Sequence, residues 1–259
     1  VQDIINEPEY RKLDRIIRGC MKAEKEERYQ SAEELQRTLQ ELQNQIKEQA
    51  IESRIVVFTG AGAGIGTTHA ALGMSYFLTR NGCPALYQEE YDTDAVRLFM
   101  RNTKARPDGA GVFHIGSLHI RPYYGRTVKM PYRYFPIIIK DIGTAWQGQE
   151  TLPEADFFVL VCGGKWWETA RTLAASRYFL SRGRCILLFN HMSEDLRMKL
   201  PDDLKGVPCF YLPFFANPLK EDRDAAACFR EIMTTGTGGM KTWERKKRRR
   251  GFWTRRPGS

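Results

Sequence analysis

Four closely spaced glycines and two threonines near residue 60 are the residues best suited to chemistry in this sequence. They lie between a β-branched run and a helix-like run in the stretch IVVFTGAGAGIGTTHAALGMSYFL. Glycines allow consecutive backbone N–H groups to converge on an anion, and a helix start adds the positive end of its dipole. The pattern predicts a phosphate site, and its candidate residues are Gly60, Gly62, Gly64, Gly66, Thr67 and Thr68.

Strand-like and helix-like runs alternate around this loop from Arg54 onward. The predicted strands are 55–59, 85–88, 135–140, 157–162, 185–189 and 208–212, and the predicted helices are 68–80, 166–180, 195–200 and 221–233. Continuous apolar strands between amphipathic helices indicate an α/β fold with a doubly wound, mostly parallel sheet covered on both faces. The Gly-, Pro- and Tyr-rich stretch 102–134 is expected to form short antiparallel pieces or a long excursion. The predicted domains are 1–49, 54–235 and 236–259.

The glycine-rich loop resembles the deviant Walker A motif, KGGxGKTT, of the MinD/ParA family of P-loop proteins. When Gly64-Ile65-Gly66 is aligned with that motif, the Walker lysine falls on Thr67 and the signature lysine falls on Gly62. The magnesium-binding hydroxyl falls on Thr68. The resemblance therefore implies ATP or ADP and Mg²⁺ as cofactors, with both lysines missing from the loop.

Three polar residues at the ends of predicted strands extend the resemblance, which spans 54 to about 233. It implies that Asp141 is the Walker B aspartate and binds Mg²⁺ together with Thr68. Glu89 would take the switch I position, where the family has a shorter aspartate. Asn190 would contact the nucleotide base. A Rossmann dinucleotide site is a less favoured interpretation, because no acidic residue that ends the second strand can be told apart from the switch I assignment of Glu89.

The missing lysines favour a weak or non-catalytic site. Each charge-assisted contact to phosphate contributes about 1.5–3 kcal/mol, which is roughly one to two decades of affinity. We therefore expect a non-catalytic or weakly nucleotide-binding regulatory or docking module. The alternative is an active ATPase of the same family that uses a substitute cation. The resemblance also implies a possible homodimer.

Residues 9–49 are predicted to form two helices, one with an apolar face at Leu13, Ile16, Ile17 and Cys20. A capping box at Ser31–Glu34 begins the second, which has Leu35, Leu39 and Leu42 as its apolar stripe. The run resembles the last two helices of a bacterial-type serine/threonine kinase C-lobe, through Arg28, Tyr29, Ser31, Glu34, Leu35 and Leu39. The resemblance implies a kinase domain in cis as a partner, although the chain lacks the kinase catalytic residues. A generic helix pair is the alternative.

The net charge of +9 is concentrated near the C-terminus, where 241–256 contains nine basic residues and one glutamate. Such a dense run is predicted to be disordered and to bind an anionic surface through Lys246, Lys247, Arg248, Arg249 and Arg250. The inner face of a membrane is the preferred partner, with nucleic acid less favoured and a solvated charge run as the alternative.

Six scattered cysteines without a CxxC pair fit a reducing cytosol. We expect a cytoplasmic protein that can associate with the inner membrane face.

Several other residues have simple structural interpretations. Lys165 is expected to be solvated in the first turn of its helix, and His69 to serve in packing or capping. Of Trp166 and Trp167, one is expected in the core and one on the surface. His114, His119 and His191 have no metal-binding spacing.

Overall fold

A computed structural model describes residues 8–48, 53–92, 95–101, 103–108, 110–125, 135–147, 152–192 and 201–239. The helices within these ranges are α1 Pro8–Cys20, α2 Ala32–Glu48, α3 Thr67–Arg80, α4 Ala95–Arg101, α5 Thr169–Leu180 and α6 Arg223–Gly236. The strands are β1 Arg54–Gly60, β2 Ala85–Glu89, β3 Phe113–Ile115, β4 Leu118–Arg121, β5 Ile137–Asp141, β6 Phe157–Cys162, β7 Cys185–Asn190 and β8 Cys209–Leu212. Predicted helix 195–200 and the basic segment lie outside the described residues.

The eight strands form one sheet in the order β3-β4-β2-β5-β1-β6-β7-β8. Every neighbouring pair is parallel except β3 and β4, which form an antiparallel hairpin at one edge. The prediction of a doubly wound, mostly parallel α/β sheet is confirmed. The hairpin is an antiparallel piece of the kind expected within 102–134.

Helices cover both faces of this sheet, as the continuous apolar strands require. Every residue of β6 and β7 is buried. Phe158 packs against Phe179 of α5, with ring centroids 5.1 Å apart. The neighbouring Phe157 fills the space beside Gly236 of α6. Since consecutive strand residues point to opposite faces, α5 and α6 lie on opposite sides of the sheet.

Two details of the helices differ from the sequence prediction. Helix α5 begins at Thr169 instead of at Trp166, and both tryptophans before it are exposed, Trp166 by 83% and Trp167 by 58%. The expectation that one of them lies in the core was wrong. Helix α6 continues through Gly236, three residues beyond the predicted end at 233. Glycine is required at this position because a Cβ there would collide with Phe157.

The two N-terminal helices pack through fewer residues than their apolar stripes suggested. Ile16 of α1 and Leu42 of α2 are buried, whereas Leu13, Ile17 and Leu39 are exposed by 38%, 49% and 40%. The hydroxyl of Ser31 accepts a hydrogen bond from the Glu34 amide at 3.1 Å, as a capping residue does. Among the described residues, none of the helices combines the length and the apolar composition that a membrane span requires.

Candidate functional site

The glycine-rich loop joins the end of β1 to the start of α3, at the carboxyl edge of the sheet. Gly64 and Gly66 have positive φ angles of 74° and 91°, and Gly66 is the N-cap of α3. Residues with a Cβ rarely adopt this conformation. Among the described residues, the amides from Gly62 to Thr68 donate no backbone hydrogen bond. The loop therefore has a set of free donors at a helix N-terminus, an arrangement that binds anions.

The first residues of the loop are fixed by the neighbouring strands. The amide of Gly60 donates to the carbonyl of Gly143 at 2.8 Å, and the amide of Ala61 donates to that of Val161 at 2.9 Å. The indole of Trp146 donates to the carbonyl of Gly60 at 2.9 Å. These bonds hold the loop in place before any ligand binds, which reduces the entropy cost of binding.

Asn190, at the end of β7, supports the other end of the loop. It is buried, and its side-chain amide donates to the carbonyl of Ile65 at 2.8 Å. It also lies so close to Gly66 that a Cβ there would collide with it. The described contacts thus give Asn190 a structural role, and its contact with a nucleotide base stays a prediction.

Thr67 is the first residue of α3 and is buried. Its hydroxyl occupies the space where a Cβ on Gly60 would lie, so Gly60 is needed for this close approach. The side chain therefore packs against the loop backbone. A threonine in this place also brings no positive charge to a bound anion.

A buried hydrogen-bond network connects Thr68 with Asp141 at the end of β5. The phenol of Tyr87 donates to Asp141 Oδ2 at 2.8 Å, and the Gly143 amide donates to Oδ1 at 2.9 Å. Thr68 also hydrogen-bonds to this carboxylate. Burial raises the pKa of Asp141, although these three hydrogen bonds act in the opposite direction. Burial and the neighbouring carboxylate raise the pKa of Tyr87 well above its usual value.

Glu89 ends the strand next to β5 and lies directly opposite Asp141 in the parallel register. It is 3% exposed, and its carboxylate accepts a hydrogen bond from the Tyr123 amide at 3.3 Å. Glu89 therefore lies at the carboxyl edge of the sheet together with Asp141 and the loop. Its switch I role remains a prediction.

The donor chemistry around Thr68 and Asp141 fits a magnesium ion. Mg²⁺ in P-loop proteins is held by one or two protein oxygens, with phosphate oxygens and waters completing the shell. Thr68 and Asp141 offer one hydroxyl and one carboxylate, and their mutual hydrogen bond brings these oxygens together. The described residues contain no cluster of three or more His, Cys, Asp or Glu side chains suited to a metal. A Mg²⁺ bound here would therefore need ligand oxygens from a phosphate.

The histidines and Lys165 near the loop behave largely as expected. The His69 Nε2 lies 2.9 Å from the Phe215 carbonyl, and the two rings pack at 4.4 Å. Burial lowers the pKa of His69. Lys165 is exposed and lies 4.0 Å from a Glu168 carboxylate oxygen, just before α5. His191 adopts a positive φ of 57°, and its Nε2 is 3.7 Å from the Cβ position of Gly66.

Three residues of this site were not singled out from the sequence: Tyr87, Trp146 and Arg171. Tyr87 looks like one more apolar residue of a buried strand, and no local pattern reveals its carboxylate partner. Trp146 follows the predicted strand 135–140 and Asp141 at its end, and this position in the chain was the one available signal. Arg171 has no distinguishing sequence feature, because it reaches the loop only through the packing of α5.

The comparisons with known proteins agree with this geometry. No protein-family model matches the sequence, and no curated protein matches it. The MinD cell division protein of Aquifex aeolicus has a TM-score of 0.52 at 13% identity, with 70% of this chain and 97% of that protein covered. The septum site-determining protein MinD of Pyrococcus horikoshii, solved with Mg-ADP, has a TM-score of 0.51 at 14% identity. This match covers 73% of this chain and 99% of that protein. The chain therefore has a MinD/ParA-like fold.

Proposed function

We propose that this chain is a P-loop module that binds ADP or ATP weakly, with Mg²⁺, and hydrolyses ATP slowly or not at all. The observation that carries the proposal is the set of free amides from Gly62 to Thr68, positioned by two left-handed glycines. Backbone donors at a helix start bind phosphate whatever the side chains. The structurally similar MinD of Pyrococcus horikoshii, which was solved with Mg-ADP, supports a nucleotide as the ligand.

The absence of lysine between Gly60 and Thr68 supports weak binding and slow turnover. A cation at this position stabilises the negative charge on the transferred phosphoryl group. Thr67 cannot do so, since it is uncharged and its side chain packs against Gly60. Binding through the backbone then persists, while the chemical step loses its main source of electrostatic stabilisation.

Thr68 and Asp141 are the residues that would hold Mg²⁺. When bound, the ion would neutralise phosphate charge. The protein's own contribution is to keep the Asp141 carboxylate oriented by Tyr87 and Gly143. This orientation has a cost, because the carboxylate is buried next to the apolar core and its pKa is raised.

Calorimetric titration of the full chain with MgADP and with MgATP tests the proposal. We expect measurable binding of both nucleotides, with little phosphate release from ATP. Gly66→Ala serves as the site variant, because a Cβ there meets Asn190 and cannot easily adopt φ 91°. Gly116→Ala is the matched control, since Gly116 also has a positive φ, of 57°, but lies in the β3–β4 hairpin. Equal affinities for the two variants, or no binding by the unaltered chain, would contradict the proposal.

We further propose that this module serves a serine/threonine kinase domain in cis, through the helix pair α1 and α2. Support comes from apolar side chains that the pair leaves exposed, including Ile17 at 49% and Met21 at 77%. The Arg28 guanidinium donates to the carbonyls of Lys22 and Ala23 at 2.6 and 3.0 Å, which fits a structural role. Translation of the coding sequence upstream of residue 1 tests this proposal. A Gly-rich loop, a strand lysine and a catalytic aspartate would support it, and an unrelated sequence would overturn it.

A further inference from the structure

Arg171 lies in the first turn of α5, beside the glycine-rich loop. A Cβ placed on Gly62 would be 3.9 Å from the Arg171 Cδ and 3.9 Å from one of its guanidinium nitrogens. Apart from the residues next to Gly62 in the chain, no other described residue has an atom within 4 Å of that position. The arginine side chain thus lies at van der Waals distance from the place of a Cβ on residue 62.

The guanidinium of Arg171 has no competing partner in the described part of the chain. It forms no hydrogen bond or ion pair there, and the residue is exposed. Other nearby cations differ in this respect. Lys165 lies 4.0 Å from Glu168, and Arg177, two turns farther along α5, forms an ion pair with Asp203 at 2.6 Å. Of these three cations, Arg171 is therefore the one whose charge is available to a ligand.

We propose that Arg171 binds the phosphate end of the nucleotide and substitutes for the lysines that the loop lacks. This inference rests on the proposed nucleotide-binding function. A guanidinium keeps its charge at all physiological pH values and can donate two parallel hydrogen bonds to one phosphate group. Contact with the loop at Gly62 places the donor beside the free amides, so that both can bind the same anion.

The glycine at residue 62 is consistent with this role. A Cβ there would be in ordinary van der Waals contact with Arg171, so a longer side chain would compete with the arginine for the space beside the loop. Gly62 does not have a positive φ, so its conformation does not require glycine.

Titration of the full chain with MgADP, using four variants, tests the role of Arg171. We expect Arg171→Ala to weaken binding by about 10- to 100-fold, the effect of one charge-assisted contact. Arg171→Lys should lose less affinity for MgADP, because lysine keeps the positive charge although it lacks the planar guanidinium group that donates two parallel hydrogen bonds. Arg177→Ala, the matched control on the same helix, should bind within about twofold of the unaltered chain, because exposed ion pairs contribute little. Adding Gly62→Lys to Arg171→Ala should restore most of the affinity.

The outcomes separate this inference from the function on which it rests. If the unaltered chain binds MgADP and Arg171→Ala binds equally well, the role of Arg171 is wrong and the nucleotide-binding function stands. If the unaltered chain binds neither MgADP nor MgATP, both are wrong. Thermal melting without ligand serves as the folding control. If the alanine variant melts early, Arg171→Gln, which keeps part of the aliphatic stem, must show the same loss of affinity.

Discussion

The phenol of Tyr87 donates a hydrogen bond of 2.8 Å to the carboxylate of Asp141, within the sheet and below the glycine-rich loop. Both residues are almost fully buried. A buried carboxylate is costly unless its oxygens are satisfied, and here Tyr87, Thr68 and Gly143 supply the donors. This arrangement keeps an ionisable group at the carboxyl edge of the sheet, at the end of β5.

Asp141→Asn is predicted to stabilise the fold and to abolish the effect of Mg²⁺ on nucleotide affinity. Burial raises the pKa of Asp141 in the folded state, so the folded protein binds its proton more tightly than the unfolded chain. Stability is therefore lost as the pH rises above the ordinary value of 3.8. The variant should be more stable than the unaltered chain at pH 7 and similar near pH 3, as measured by urea denaturation.

Asp202→Asn is the control for that experiment, because Asp202 is exposed and forms an ion pair with Lys205 at 2.5 Å. It should leave the Mg²⁺ effect unchanged, and exposed ion pairs contribute little to stability. An Asp141→Asn protein that is less stable than the unaltered chain at pH 7 would show that the hydrogen bonds outweigh the burial cost.

Thr67→Lys is predicted to strengthen MgADP binding by about 10- to 100-fold, because it adds a charge-assisted phosphate contact. Its ATP turnover should rise as well, since the new charge can stabilise the transferred phosphoryl group. Calorimetry and a phosphate-release assay measure the two effects. If Thr67→Lys changed neither the affinity for MgADP nor the rate of ATP turnover, the loop would not be a phosphate site. A different outcome would favour the alternative function. If the unaltered chain hydrolyses ATP and Asp141→Ala abolishes this hydrolysis, the result favours an active ATPase with a substitute cation.

His69→Asn is predicted to reduce the loss of stability on mild acidification. Burial, opposed by the Phe215 carbonyl and assisted by His191, lowers the pKa of His69 below its ordinary 6.5. The neutral form of His69 is therefore favoured in the folded state. Its contribution to the free energy of unfolding is fully present above pH 6.5 and is lost as the pH falls below that value. Between pH 7 and pH 5, the unfolding free energy of the variant should decrease less than that of the unaltered chain.

Burial also lowers the pKa of His119, so the pH dependence should shrink in the His69 variant without vanishing. Replacing both His69 and His119 should reduce the pH dependence of the unfolding free energy further. Identical pH profiles for His69→Asn and the unaltered chain would contradict the role assigned to His69.

The basic segment from Lys241 to Arg256 is predicted to bind anionic membranes. Each Lys or Arg near an anionic surface contributes about 1 kcal/mol, and the effect fades within a Debye length. Co-sedimentation with anionic and neutral vesicles at low and high salt measures this binding. The full chain should sediment with anionic vesicles at low salt, and a version that ends at Met240 should not. Equal sedimentation of the two would contradict the membrane proposal.

The sequence predicted the parallel sheet because its central strands are continuous apolar runs with clear ends. The short helix α4 was missed, although Val96 and Met100 are buried with helical spacing. Seven residues give too little periodicity to separate a helix from a loop. The glycine-rich loop was predictable in the same way as the strands, since its residues are adjacent in the chain.

The partners of the site residues were not predictable, because they come from distant parts of the chain. Asn190 bonds to Ile65, 125 positions away, and Trp146 bonds to Gly60, 86 positions away. Such pairs depend on which strand ends and helices meet at one edge of the sheet. A single sequence contains the residue types for these contacts but not the packing that brings them together.

Hydrogen–deuterium exchange of the loop, with and without MgADP, tests the central claim most directly. The account holds that the free amides from Gly62 to Thr68 bind the phosphates. Exchange in a peptide covering 60–68 should therefore slow on addition of nucleotide, and a peptide covering β3 and β4 should remain unchanged. Slower exchange elsewhere with an unchanged loop, at a nucleotide concentration that saturates binding, would contradict the account.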